Sequence, residues 1–405
     1  MTFQNLPPEL LNLIFDLGAR QFLDAMNYQR GIWRSTFTLP SLKPIFRYHL
    51  SLSHVCATWR AVSIGFSETW NQIHLTKRAL RDAPMTFQFM GRSISHPLSL
   101  EFSIRREIAQ EDIAAIKASL NQFLPSNVHR IHSLRLAGPD VFISAVLDHF
   151  VDHTICYSPL SRPFTLSHLH IIQKSTPSGE TFPLDLNLAA PHLTHLRTCG
   201  APVFTFPRWY LEEVVLEEGI LLSLKNLYHI YSKTPTKRLV LNGITVTGGA
   251  PRARGIPSAQ QSSITSIAFS NLQTPEEDPI IRGLVYYNFF CSSFPRNLHT
   301  LKLARLDDDL MNSLHTMLEV AIKSPPPIVW PQLKTLFLQR VPLETPGFVV
   351  MATAFPEVSE LEMVDMGEAK DCFLKLWNAS KYTLFPSFWP MLQEIVVDGR
   401  VVTRS

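Results

Sequence analysis

The chain has 405 residues, of which 45% are hydrophobic and only 18% charged, against a charged share of roughly 25% in an ordinary globular protein. That composition excludes extensive disorder, and the length suffices for two domains or for a small module joined to a repeat array. The net charge of +3 is too small for a nucleic-acid binder, and no stretch approaches the roughly 18 apolar residues of a membrane span.

The opening residues, MTFQNLPPELL, lack the positive n-region and apolar run of a signal peptide. The five cysteines (Cys56, Cys156, Cys199, Cys291, Cys372) are scattered and form no CxxC pair, so neither a disulfide framework nor a zinc site is encoded. A cytoplasmic or nuclear, non-secreted chain is expected.

Residues 6–15 read LPPELLNLIF. Pro7 and Pro8 suit the first turn of a helix, where a missing N–H is harmless, and Glu9 meets the positive end of the dipole. Leu10, Leu11, Ile14 and Phe15 follow at helical spacing and predict one apolar stripe. A second amphipathic stretch, LSLSHVCATWRAVSIGFSETW, sets Leu52, Val55, Cys56 and Trp59 along one face. On this pattern alone, the two stretches pack on each other in a small helical bundle.

Three pieces recur in a familiar order: LPPELL with Ile14-Phe15, then Val55-Cys56 with Trp59-Arg60, then Trp70-Asn71-Gln72-Ile73. Over roughly residues 3–75 they resemble the F-box in the form common in fungal proteins, LPPE-L-x-x-IF, VC-x-x-WR and LW-x-x-I. The resemblance implies a helical module over residues 1–80 that binds the Skp-type adaptor of an SCF ubiquitin ligase and, through it, a cullin scaffold. The implied docking residues are Leu6, Pro7, Pro8, Leu10, Leu11, Ile14, Leu52, Val55, Cys56 and Trp59. Helix faces too apolar for so small a bundle to bury alone would need such a partner. The chain departs from the family in a long insertion, residues 16–51, rich in aromatics (Phe22, Tyr28, Trp33, Phe37, Phe46, Tyr48). Added loop length is thermodynamically cheap. The aromatics predict that this segment packs on the bundle or partly covers the docking face.

From about residue 98 the template L-x-x-L-x-L recurs, with any aliphatic residue accepted. Ile131/Leu134/Leu136, Leu166/Leu169/Ile171, Leu211/Val214/Leu216, Ile264/Ile267/Phe269, Leu298/Leu301/Leu303, Leu333/Leu336/Leu338, Val358/Leu361/Met363 and Leu392/Ile395/Val397 fit it. Leu193/Leu196 and Leu239/Leu241 fit with one position missing, and Leu98/Leu100/Phe102 reads as a first, capping strand. Nine steps separate Leu134 from Ile395, a mean of about 29 residues, at the upper edge of the range for leucine-rich repeats.

Between these strands, residues 107–124 set Ile113, Ile116, Leu120 and Phe123 on one helical face, and residues 308–323 do the same with Leu310, Leu314, Leu318 and Ala321. Strands alternating with such helices predict parallel strands joined by right-handed crossovers. The fold class is therefore α/β: a helical module followed, over residues 95–405, by an irregular leucine-rich-repeat-like solenoid with strands inside and helices or loops outside. The segment 245–263, TVTGGAPRARGIPSAQQSS, reads as a flexible insertion. A doubly wound domain would need a glycine-rich βα turn, which the chain lacks.

No enzyme signature emerges. There is no GxSxG elbow and no cysteine in a nucleophile context. Among fifteen histidines, His129/His132 and His192/His195 are spaced three apart, and His168 and His170 share the face opposite Leu169 and Ile171. None has an acid-rich ligand set beside it, so solvent-facing histidines are expected and no metal or cofactor. Asp307-Asp308-Asp309 precedes a helix and reads as its cap.

In the repeat template the leucines point inward and the residue between the last two faces the concave side. That column supplies the candidate target-binding residues Arg135, His170, Arg197, Lys302, Phe337 and Glu362. Together with the column two residues earlier, which includes His168, His195, Glu360 and Glu394, the early repeats are basic or histidine-bearing, the middle small and apolar and the end acidic. This predicts an acidic partner near Arg135 and Arg197; the alternative is a solvated sheet face. The expected function is the substrate-receptor subunit of an SCF-type ubiquitin ligase that captures a target protein. The alternative is a non-catalytic repeat scaffold not engaged in ubiquitination.

Overall fold

Two prolines and a run of leucines begin the first helix, α1 (Pro8–Tyr28), in which the Pro7 carbonyl accepts the Leu10 and Leu11 N–H groups at 3.1 Å. The computed structural model describes residues 6–28, 41–65, 67–81, 83–93, 96–104, 108–157, 165–173, 192–200, 210–223, 227, 230, 235–248, 262–379 and 389–402. The chain divides into two units, Met1–Thr205 and Phe206–Ser405.

In the first unit, α2 (Lys43–Leu52) and α3 (Ala57–Gly65) follow α1. Leu11, Phe15 and Leu52 bury together, with Leu6, Tyr48, Trp59 and Val62 packed around them. The Phe15 and Trp59 rings lie 5.1 Å apart. Gly18 allows α1 to approach α2, since a Cβ there would stand 2.1 Å from the Tyr48 hydroxyl. Much of the 16–51 segment is therefore helix: its first part prolongs α1 and its last part is α2. Residues 29–40, with Trp33 and Phe37, lie outside the described residues, as do the side chains of Phe22 and Tyr28.

The third motif leads out of the helices. Trp70 is fully buried, donates from Nε1 to the Ser63 carbonyl at 2.7 Å and stacks on Phe89 at 5.8 Å. The next residues form β1 (Gln72–Thr76), so the sheet begins one strand before Leu98/Leu100/Phe102. Strands β2 (Leu98–Ser103), β3 (Ile131–Gly138), β4 (His168–Gln173) and β5 (His195–Cys199) join it in sequence order, all parallel.

Helices α4 (Lys77–Arg81), α5 (Ala83–Arg92), α6 (Gln110–Asn127) and α7 (Asp140–Tyr157) occupy the crossovers. The leucine face of the sheet (Leu100, Phe102, Leu134, Leu136, Leu169, Ile171) is buried, as are Ile116, Leu120 and Phe123 of α6 and Val146 and Phe150 of α7. Burial of each such side chain contributes about 1.5–3 kcal/mol.

The second unit repeats the scheme. Strands β6 (Leu211–Glu217), β8 (Thr236–Asn242), β10 (Ser266–Ser270), β11 (Thr300–Ala304), β12 (Thr335–Gln339), β13 (Glu360–Val364) and β14 (Glu394–Val397) run parallel, closed by antiparallel β15 (Arg400–Val402). A side pair, β7 (Leu221–Ser223) with β9 (Thr245–Thr247), is also parallel. The first residues of the 245–263 segment are thus strand, while 249–261 lie outside the described residues.

Helices α8 (Pro279–Ser293), α9 (Asp308–Lys323), α10 (Thr345–Ala354) and α11 (Glu368–Ala379) fill the later crossovers. Asp278 caps α8, accepting from the Ile280 N–H at 2.8 Å. Asp307 caps α9, accepting from the Leu310 N–H at 2.8 Å, so the aspartate run does cap its helix.

Leu239, Ile267, Leu301, Leu336, Leu361 and Ile395 form one row across the sheet. The residue after each of these strands takes a left-handed conformation: Gly243 (φ 64°), Asn271 (48°), Arg305 (49°), Arg340 (48°), Asp365 (51°) and Asp398 (49°). For Gly243, Asn271, Arg305 and Arg340 the N–H donates to the last carbonyl of the next strand, at 2.8 to 3.3 Å. Each turn thereby prolongs the ladder by one bond. Among the described residues no helix is long and apolar enough to cross a membrane.

Candidate interaction surfaces

Helix α1 carries two apolar stripes. Leu11, Phe15 and Ala19 face inward. Leu10, Leu13, Ile14 and Leu17, spaced i, i+3, i+4 and i+7, are 47%, 54%, 39% and 51% exposed. Four consecutive large aliphatics on the water side of a helix are an uncompensated apolar patch, and Val55, 58% exposed, adds to the exposed apolar residues of the module.

Of the ten docking candidates, Pro7, Pro8, Leu10, Ile14 and Val55 are exposed, Leu6, Cys56 and Trp59 are half-buried, and Leu11 and Leu52 are internal core. Leu13 and Leu17 belong to the exposed stripe although the motif does not single them out. Their signal was the helical spacing from Leu10.

The second motif builds the corner between α2 and α3. Cys56 Sγ accepts from the Trp59 N–H at 3.4 Å, Trp59 packs on Phe15, and Arg60 Nε donates to the Ser53 carbonyl at 2.9 Å. These contacts hold the corner, leaving Val55 outward. His49, buried beneath it, is pushed down to about 4 by burial, with Asp16 opposing.

On the non-leucine face of the sheet in the first unit, Arg135, His170 and Arg197 of the predicted column are lateral neighbours, and register extends the column to Glu101 and His74, which the expected column did not include. It is not an open basic surface. Glu101 lies buried, 3.4 Å from His74 Nδ1 and 3.5 Å from Arg135 Nε. It also accepts from the Ser41 hydroxyl at 3.0 Å and from the Leu42 N–H at the start of α2. Burial raises the Glu101 carboxyl, but the hydrogen bond with His74, the charge of Arg135 and the Leu42 N–H outweigh it and leave it below the usual carboxylate range.

Arg135 and His170 are 8% and 3% exposed. They are therefore corrected from surface candidates to buried groups, and the charge of Arg135 is matched by Glu101. Arg197 remains half-exposed.

The neighbouring column stacks imidazoles. His132 and His168 rings are 5.0 Å apart, and His168 and His195 stack at 4.4 Å with 17° between planes. His168 is pushed down to about 3, chiefly by burial and then by His195 and His132. These three histidines thus form a ring stack, with His132 exposed and His168 and His195 half-buried, while His192 is exposed as expected. Among the described residues no cluster of three or more histidine, cysteine or acidic side chains could hold a metal ion.

In the second unit Lys302 lies 5.5 Å over the Phe337 ring, which is 1% exposed. Burial, then Arg238, lowers the Lys302 ammonium from its ordinary value, while Glu362 opposes. Phe337 is therefore a platform beneath Lys302 and not itself a surface group. Glu213 and Arg238 pair at 3.1 Å. The last strands carry acidic residues in both columns, with Glu360 and Glu394 exposed in one and Glu362, followed by Val396, half-buried in the other.

No family model and no curated protein matches this chain. Among solved structures it is similar to the leucine-rich repeat-containing protein LegL7 from Legionella pneumophila. That match has 16% identity over 74% of this chain and 87% of the other, with a TM-score of 0.37.

Proposed function

We propose that this chain is a non-catalytic adaptor: the helical module docks the Skp-type adaptor of an SCF ubiquitin ligase, and through it a cullin, while the repeat sheets hold a target protein. The observation that carries this reading is the exposed stripe Leu10, Leu13, Ile14 and Leu17 on α1. An amphipathic helix whose second face stays apolar in water is stabilised by laying that face into a partner's groove. The F-box resemblance names the partner, and the exposed LPPELL residues are consistent with it.

The chain then works by proximity. A target held on the repeats shares one assembly with the ubiquitin-charged enzyme, which raises its effective concentration there without new chemistry. Co-expression with a Skp-type adaptor tests the reading. A stable one-to-one complex that is lost when the α1 stripe is made polar supports it. Failure of the intact chain to associate overturns it and leaves a repeat scaffold.

A further inference from the structure

The strands of the second unit end on one edge, and there the starts of α9, α10 and α11 leave a cleft of about 810 Å³. Its volume lies within the range of ligand pockets, about 300–1,000 Å³, and it lies beyond the carboxyl ends of β11, β12 and β13. The floor is apolar: Met311, Leu343, Met366 and Ala369 line it and are each at most 8% exposed. The rim carries three exposed carboxylates, Asp308, Glu344 and Glu368. No lysine or arginine is among the lining residues.

Helix starts attract acidic residues for their own sake, so the carboxylates need separate accounting. In α9 the capping is performed by Asp307, not by Asp308. Glu344 occupies the cap position of α10 but makes no side-chain capping bond. None of the three forms an ion pair with a described residue, in contrast to nearby Asp309, which holds Arg282 at 2.9 Å. The cleft therefore combines unneutralised negative charge with a floor of two thioethers and a leucine. Methionine side chains adapt readily to varied apolar partners.

We propose that this cleft binds a short basic segment of a partner protein, in which lysine or arginine side chains meet Asp308, Glu344 and Glu368 while an apolar side chain between them enters the floor over Met311 and Met366. This deepens the adaptor reading by assigning the chemistry of the captured target, and it rests on that reading for its biological sense. The acidic-partner expectation for Arg135 is replaced, because that guanidinium is already matched by Glu101.

A short fluorescent peptide of alternating lysine and leucine, titrated by anisotropy against the intact chain, tests the site. We expect saturable binding that weakens with salt, as charges screened over a Debye length of about 8 Å at physiological ionic strength require. A control peptide with glutamate for lysine should not bind. Glu344→Gln with Glu368→Gln should weaken binding about five-fold, the size expected for two exposed pairs. Asn312→Trp, on the exposed rim of α9, should block the mouth and abolish binding without touching the core.

No binding of the basic peptide overturns the proposal. So does equal binding of the acidic control, or affinity unchanged in both variants. Adaptor association is read separately by co-purification of the same samples. Its loss with peptide binding intact sinks the docking reading alone, and the converse sinks the cleft alone.

Discussion

Replacing Leu13 and Leu17 together by glutamate separates docking from folding. Both side chains are about half exposed on α1, at 54% and 51%, and glutamate matches leucine closely in helix propensity. The folded chain should therefore change in stability by no more than about 0.5 kcal/mol. A docked partner would bury the remaining half of each leucine, worth about 1 kcal/mol apiece on the scale of 1.5–3 kcal/mol for full burial. Two carboxylates facing an apolar groove add a desolvation penalty of at least another 1–3 kcal/mol. The sum predicts a loss of adaptor affinity of at least about 100-fold, measured by calorimetric titration of a Skp-type adaptor, with urea melts recorded alongside. Leu11→Ala is the contrasting variant: fully buried, it should lose about 2–5 kcal/mol of stability. If Leu13→Glu/Leu17→Glu binds the adaptor like the parent chain, the outer stripe is not a docking face.

Glu101→Gln should destabilise the first unit by about 3 kcal/mol in urea unfolding, because it removes the carboxylate paired with buried Arg135; an unchanged midpoint would refute a stabilising role for that pair. His49 and His168, ordinarily near 6.5, sit at about 4 and about 3 in the folded chain, so the unfolded chain takes up protons first as pH falls. Their contribution is complete above about pH 6.5 and lost on descending toward about 4 and 3. Melting temperature should fall across that window, and His49→Gln should flatten the slope; a parent profile flat from pH 7 to 4 would contradict it. Arg305→Gly should raise stability by about 0.5–1 kcal/mol, since φ of 49° costs a side-chain-bearing residue about 1–2 kcal/mol. Arg305→Val should lower it, read as opposite shifts in the urea midpoint.

Much of the repeat architecture could be read from spacing, because its signals are local. The row from Leu239 to Ile395 follows the repeated template, and α9 starts and stops at residues 308 and 323 as its leucine spacing and aspartate cap require. What escaped depends on lateral neighbours far away in sequence. Glu101 looks like an ordinary strand residue until register sets it beside His74 and Arg135. His132, His168 and His195 are distant in the chain and acquire meaning only as a stack. Strand β1 was masked because its five residues directly follow a helical motif, and β9 because TVT opens a glycine-rich loop. On α1 the motif drew attention to Leu10 and Ile14, while Leu13 and Leu17 needed only a longer count around the same helix. The cleft had no linear signal, since its walls come from three separate crossovers.

The left-handed residue at the end of each later strand has a consequence for how such a chain can change. From Arg238 to Ser266 is 28 residues, from Ser266 to Thr300 is 34, from Thr300 to Thr335 is 35 and from Thr335 to Glu360 is 25, yet each pair meets without offset. All variation in length is absorbed on the helix side, between one such turn and the next strand. Arg305 and Arg340 occupy equivalent joints. Excising residues 305–339 would join Ala304 to Arg340, which occupies the joint equivalent to Arg305, and is expected to shorten the sheet by one strand, β13 taking the place of β12 in the same register. The chain thus carries seams at which whole repeats join, so that its sheet is expected to tolerate loss or duplication of a repeat without redesign of the strands on either side.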